Sequence, residues 1–106
     1  MPISPAVTLT DRERATVEQI IRSMAGRIGE VKVFGSRATG RARPSSDLDL
    51  VVYPPIAQRE LYDLMDAFEE SDLPIFVDVV PWDRVTSEAL REQIKRYAVP
   101  LFDDEA

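Results

Sequence analysis

Three aspartates are the residues of this chain best able to do chemistry together. Asp47 and Asp49 stand two apart at the head of an otherwise apolar run, Asp47-Leu48-Asp49-Leu50-Val51-Val52. Side chains alternate along a β-strand, so both acids leave one face while Leu48 and Leu50 point the other way, toward a core. Their Cα atoms would lie roughly 6.6 Å apart, a spacing at which two carboxylates can share metal ions. Asp78 sits in the most apolar run of the chain, Ile75-Phe76-Val77-Asp78-Val79-Val80, where its neighbours by alternation are Phe76 and Val80. Ionised carboxylates in such settings are costly unless they meet a cation or stay in water. If the two runs pair side by side, Asp78 joins Asp47 and Asp49 in one acidic cluster.

The chain has no histidine and no cysteine. Imidazole acid–base chemistry, Ser-His-Asp triads, thiol catalysis, disulfide scaffolds and His- or Cys-ligated metals are therefore excluded. An all-oxygen donor set favours Mg²⁺, Mn²⁺ or Ca²⁺. Two Mg²⁺ ions about 4 Å apart would clamp an in-line displacement at phosphorus.

A phosphate-binding turn is also legible. Gly35-Ser36 follows the short β-prone run Val31–Phe34. Glycine lets a backbone approach a phosphate closely, and the two amides and the Ser36 hydroxyl can donate to its oxygens. Arg37, Arg41 and Arg43 follow in the same turn of an otherwise acidic chain. They are suited to a triphosphate or a leaving pyrophosphate.

These residues need elements to position them. Thr10 with Glu13 forms a capping box, and Val17, Ile20, Ile21, Met24 and Ile28 recur at helical spacing. A helix is predicted from about Asp11 to Arg27, ended by Gly26 and Gly29. Strands follow at Val31–Phe34 and Asp47–Val52, the second stopped by Tyr53-Pro54-Pro55. Residues 35–46 read as a turn with room for one helical turn. Leu61, Leu64, Met65 and Phe68 mark a helix over roughly Ala57–Glu70. A third strand spans Ile75–Val80, and a last helix carries Ala89, Leu90, Ile94 and Tyr97 on one face. Val99–Phe102 reads as a short strand that Pro100 sends to an edge. Trp82 reads as a core plug or a partner contact. The pattern predicts an α/β fold: a mixed sheet of three or four short strands backed by about four helices. A single domain over 1–106 is expected, with a loose arm at 1–9 and a frayed tail at 103–106.

Net charge is −6, from 13 basic and 19 acidic residues. That argues against direct DNA or general nucleic-acid binding, which needs excess Lys and Arg. It leaves a nucleotide open, because a metal can supply positive charge locally. No apolar stretch approaches the ~18 residues of a membrane span. The first ten residues lack the basic start and apolar run of a signal peptide, so a cytoplasmic location is the expectation.

The order of apolar strand, Gly35-Ser36, ten intervening residues and Asp47-x-Asp49 resembles the nucleotidyltransferase motif of the DNA polymerase beta superfamily. The spacer and short chain look most like the minimal nucleotidyltransferases of prokaryotic toxin–antitoxin pairs. The close match covers about residues 31–52, and strand order extends it to Asp78. The resemblance implies a small nucleotidyltransferase fold. It implies that Gly35 and Ser36 bind the triphosphate and that Asp47, Asp49 and Asp78 ligate metal, with Asp78 drawing the proton from an acceptor hydroxyl. It further implies ATP as substrate, Mg²⁺ (two ions) or Mn²⁺ as cofactor, and transfer of AMP to a tyrosine of a HEPN-type toxin, an RNA-cleaving partner. A hetero-complex or homo-oligomer is expected, since the chain has no room for a separate acceptor-binding domain.

Other readings of the same residues stay open at this point. Asp47 and Asp49 could be a solvated strand start, Asp78 a surface acid on an edge strand, and the arginines solvated loop charges. A non-catalytic antitoxin that acts by binding alone would keep the fold without needing three acids. A nucleotidyltransferase acting on a small-molecule hydroxyl is the other rival.

Overall fold

A computed structural model describes residues 2–103. Its elements are α1 (Asp11–Ser23), β1 (Val31–Phe34), α2 (Ser36–Thr39), β2 (Leu48–Val52), α3 (Gln58–Glu70), β3 (Val77–Pro81), a 3-10 turn (Trp82–Arg84), α4 (Glu88–Tyr97) and β4 (Val99–Pro100). The strands form one mixed sheet in the order β3-β2-β1-β4. β1 runs antiparallel to both β2 and β4, whereas β2 and β3 are parallel. The α3 crossover makes the parallel pair possible, because parallel strands cannot be joined by a tight turn.

Alternation along the strands sorts the two sheet faces. Val31, Val33, Leu48, Leu50, Val52 and Val79 pack against Val17 and Ile21 of α1 and Leu61, Leu64 and Phe68 of α3. Phe34, Val51 and Ile94 form a smaller core on the other face, joined by Val80, Trp82, Leu90 and Ala98. The α4 stripe is thus Leu90, Ile94 and Ala98, spaced one turn apart. Ala89 and Tyr97, expected on that face, are exposed. Met65 is exposed too, since α3 buries the Leu61–Leu64–Phe68 side only. Trp82 is half-buried, its ring centroid 5.5 Å from that of Tyr53 and 4.3 Å from the Arg91 guanidinium carbon.

The Thr10–Glu13 capping box forms in both directions, at 3.1 and 2.9 Å. α1 ends at Ser23, four residues short of expectation. Met24 N–H turns to the Ile21 carbonyl and Gly26 adopts φ 82°, so the chain leaves the helix before the apolar stripe runs out. β3 starts two residues later than expected and runs through Pro81, which the outer strand of a sheet can hold. Pro100 likewise lies on the opposite edge.

The expected loose arm is the largest correction. Ile3 and Val7 are buried, Ser4 N–H donates to the Leu101 carbonyl at 2.7 Å, and Ile3 bridges Phe102. The Arg14 guanidinium gathers the carbonyls of Ile3, Ser4, Val7 and Leu9. Two apolar side chains at the right places outweigh the two prolines. Asp103 N–H donates to Pro2, while residues 104–106 of the expected tail lie outside the described residues. Among the described residues, no helix is long and apolar enough to cross a membrane.

Candidate active site

The site is built where the end of β1 lies beside the first residues of β2 and β3, on the face that α4 covers only in part. Leu48, Leu50 and Val52 fill the main core, so Asp49 must emerge on the α4 side. Val51, next on that side, is sealed under α4, whereas Asp49 is half-buried and Asp47 exposed. β3 follows the same rule: Val77 and Val79 pack inward, and Asp78 emerges exposed beside the half-buried Val80.

Register then decides what meets what. Asp49 lies opposite Asp78 on β3 and opposite Phe34 on β1. Gly35, the residue after Phe34, therefore lies against the Asp49 carboxylate. A Cβ added at Gly35 would sit 2.4 Å from Asp49 Oδ2, and the Gly35 φ of 77° is one that side chains rarely adopt. Both constraints require glycine at this position. Ser36 opens α2, whose first N–H groups have no intrahelical acceptor. The Gly-Ser turn and the carboxylates are thus adjacent.

Electrostatics report the same closeness. Partial burial, then the Asp78 charge, then the Asp47 charge push the Asp49 carboxyl up from 3.8 to about 6. A carboxylate so situated has an unmet demand for positive charge. Among the described residues, no three acidic side chains converge closely enough to form a ready-made metal centre. The donor chemistry nevertheless fits a hard divalent cation: all oxygens, on one face, with one member penalised for its charge.

Arg37 departs from expectation. It is 3% exposed, and its guanidinium is turned onto backbone carbonyls. It donates to the carbonyls of Ser46 (2.8 and 3.1 Å), Thr8 (2.8 Å), Pro44 (3.2 Å) and Arg43 (3.3 Å), with Glu13 Oε1 at 3.9 Å from Nη1. A guanidinium so committed cannot bind phosphate. It instead ties the turn before Asp47 to the N-terminal segment. Arg41 and Arg43 are exposed on that turn, which the Ser46 hydroxyl closes by accepting from Arg43 N–H at 2.8 Å.

Residues that sequence reasoning passed over are Arg14 and the buried Glu13 as second holders of this framework, and Phe76. The capping box was visible, but nothing in the spacing showed that Glu13 would also face Arg37.

Known proteins resemble this chain in sequence and in fold. The family model described as nucleotidyltransferase domain matches residues 14–101. A Haemophilus influenzae protein named as a probable protein adenylyltransferase, MntA, is 36% identical over 99 residues, covering 92% of this chain and 85% of its own length. A solved structure titled as a minimal nucleotidyltransferase is 36% identical, with a TM-score of 0.60 over 85% of this chain and 89% of that one. A toxin–antitoxin structure with AMP-PNP has the same fold, with a TM-score of 0.65 at 20% identity, over 86% of this chain and 73% of that one. With the family model spanning most of its length, the chain belongs to the nucleotidyltransferase domain family.

Proposed function

We propose that this nucleotidyltransferase moves AMP from ATP to a tyrosine hydroxyl of a partner protein, as the antitoxin of a toxin–antitoxin pair whose toxin is of the HEPN type. The observation that carries the reading is the contact of the Gly35 backbone with the Asp49 carboxylate, itself paired across strands with Asp78. A phosphate-binding turn and a carboxylate cluster in contact suit chemistry at phosphorus. The protein adenylyltransferase name of the Haemophilus relative and the AMP-PNP in the toxin–antitoxin structure support adenylate and a toxin partner.

In this reading Gly35 and Ser36 hold the triphosphate through backbone and hydroxyl donors, with Arg41 and Arg43 at its outer end. Arg37 positions the turn. Asp47, Asp49 and Asp78 would hold Mg²⁺ or Mn²⁺. A bound divalent cation would neutralise charge on the phosphates and on the attacking and leaving oxygens. The acceptor oxygen attacks the α-phosphorus, the bond to the bridging oxygen breaks, and pyrophosphate leaves. Asp78 takes the acceptor proton. The protein contributes mainly orientation and charge complementarity.

The test is mass spectrometry of a candidate HEPN-type toxin, co-expressed with wild type or with Asp47→Asn/Asp49→Asn. The expected result is an adenylate-mass adduct on a toxin tyrosine with wild type only. An unmodified toxin that is still neutralised and still bound would favour the antitoxin that acts by contact alone.

A further inference from the structure

Phe76 is 66% exposed, more than any other large apolar side chain among the described residues. It directly precedes β3, and its carbonyl accepts from Leu48 N–H at 2.9 Å. The β2–β3 pairing thus reaches one step beyond the strand and sets Phe76 alongside Asp47. Val77 packs into the main core, so alternation sends the Phe76 side chain to the face of Asp78. Core packing does not account for a phenyl ring in water on the carboxylate face.

We propose that Phe76 is the acceptor-side specificity residue, a platform for the ring of a phenolic side chain whose hydroxyl reaches Asp78. This inference rests on the nucleotidyl-transfer reading of the site. The sheet order gives the direction. The triphosphate turn follows β1, Asp49 lies on β2, and Asp78 lies on β3, the outermost strand. In an in-line displacement the entering and leaving oxygens lie on one line through phosphorus. With pyrophosphate leaving toward β1, the acceptor enters over β3, where Phe76 and Asp78 stand. The nucleoside hangs on a third oxygen, off that line.

Charge chooses the occupant as well. Asp47 and Asp78 flank the ring and repel a second anion, whereas a neutral phenol brings no charge. Its ring can stack on Phe76 or meet it edge-to-face. The aliphatic hydroxyl of serine or threonine would leave the platform bare. The phenolic oxygen bonds to the α-phosphorus, the phosphorus–bridging oxygen bond breaks with its electron pair leaving on pyrophosphate, and the proton passes to Asp78.

The test is amide NMR of the whole chain with Mg²⁺ and AMP-PNP, followed by titration with N-acetyl-tyrosinamide or N-acetyl-serinamide. AMP-PNP should shift Gly35 and Ser36. N-acetyl-tyrosinamide should then shift residues 76–78 saturably, and the serine probe should not. Phe76→Ala should weaken the tyrosine probe about tenfold with AMP-PNP affinity unchanged, and Phe76→Tyr should restore it. An unaltered tyrosine titration in Phe76→Ala, or no shift at 76–78 in wild type, overturns the proposal. A loss of AMP-PNP affinity in Phe76→Ala overturns it too, because the ring would then serve the base. No response of Gly35 and Ser36 to AMP-PNP would instead overturn the nucleotide reading on which the proposal rests.

Discussion

Asp49 and Asp78 stand directly opposite each other on neighbouring parallel strands, β2 and β3. Adjacent strands are about 4.8 Å apart, so two like charges share one small patch of surface. Burial adds to the cost at Asp49, and its carboxyl is pushed up to about 6. The folded state therefore binds this proton more tightly than the unfolded chain. Its stabilising effect is full below pH 4 and is lost as pH rises through 6. In EDTA, the Tm should carry a downward component across that window, absent in Asp49→Asn. At pH 8 the variant should be more stable than wild type by about 1 kcal/mol, the unscreened shift being discounted for exposure. Mg²⁺ should raise the wild-type Tm more at pH 8 than at pH 5, since a ligating carboxylate must be deprotonated. Differential scanning fluorimetry over pH, with and without Mg²⁺, measures all three.

Gly35→Ala should damage the site far more than the fold. The added methyl must push the Asp49 carboxylate aside, and φ 77° strains any side chain by about 1–3 kcal/mol. Transfer activity should fall on the order of a hundredfold, a displaced charged ligand being worth that much. Urea denaturation should show a reduced but cooperative transition. Activity near wild type would show that the Gly35–Asp49 contact does not matter to the chemistry.

Arg37 and Arg41 should separate into two kinds of arginine. Arg37→Met removes a donor from four carbonyls and the cation that stands 3.9 Å from the buried Glu13 carboxylate, a cost of about 2–4 kcal/mol by urea denaturation. Arg41→Ala, at an exposed position, should leave the urea midpoint unchanged and weaken ATP binding several-fold. Equal stability loss in the two variants would contradict the division of labour.

The parts of this fold that were legible in the sequence are those set by local alternation. Leu48, Leu50 and Val52 on one side and Asp49 and Val51 on the other follow from the strand period alone. The capping box at Thr10 and the edge position of Pro100 follow from backbone chemistry. What was not legible depends on distant contacts. Arg37 is polar in sequence and buried in the fold because carbonyls from two separate segments, residues 8 and 43–46, converge on it. The N-terminal segment is held by Arg14 and Leu101, neither of which its own pattern names. Gly29 reads as a helix stop, yet a Cβ there would meet the Tyr53 carbonyl at 2.2 Å, a close approach of two backbones that spacing cannot show.

The central claim, that the Asp47–Asp49–Asp78 face transfers a nucleotide and not a phosphate, is tested most directly by label transfer. The chain, a candidate HEPN-type toxin and Mg²⁺ would be incubated with ATP labelled at the α- or at the γ-phosphate, beside Asp47→Asn/Asp49→Asn. The account predicts label on the toxin from α-labelled ATP alone, lost in the double variant. Label from γ-labelled ATP, or undiminished α-label in the double variant, would contradict it.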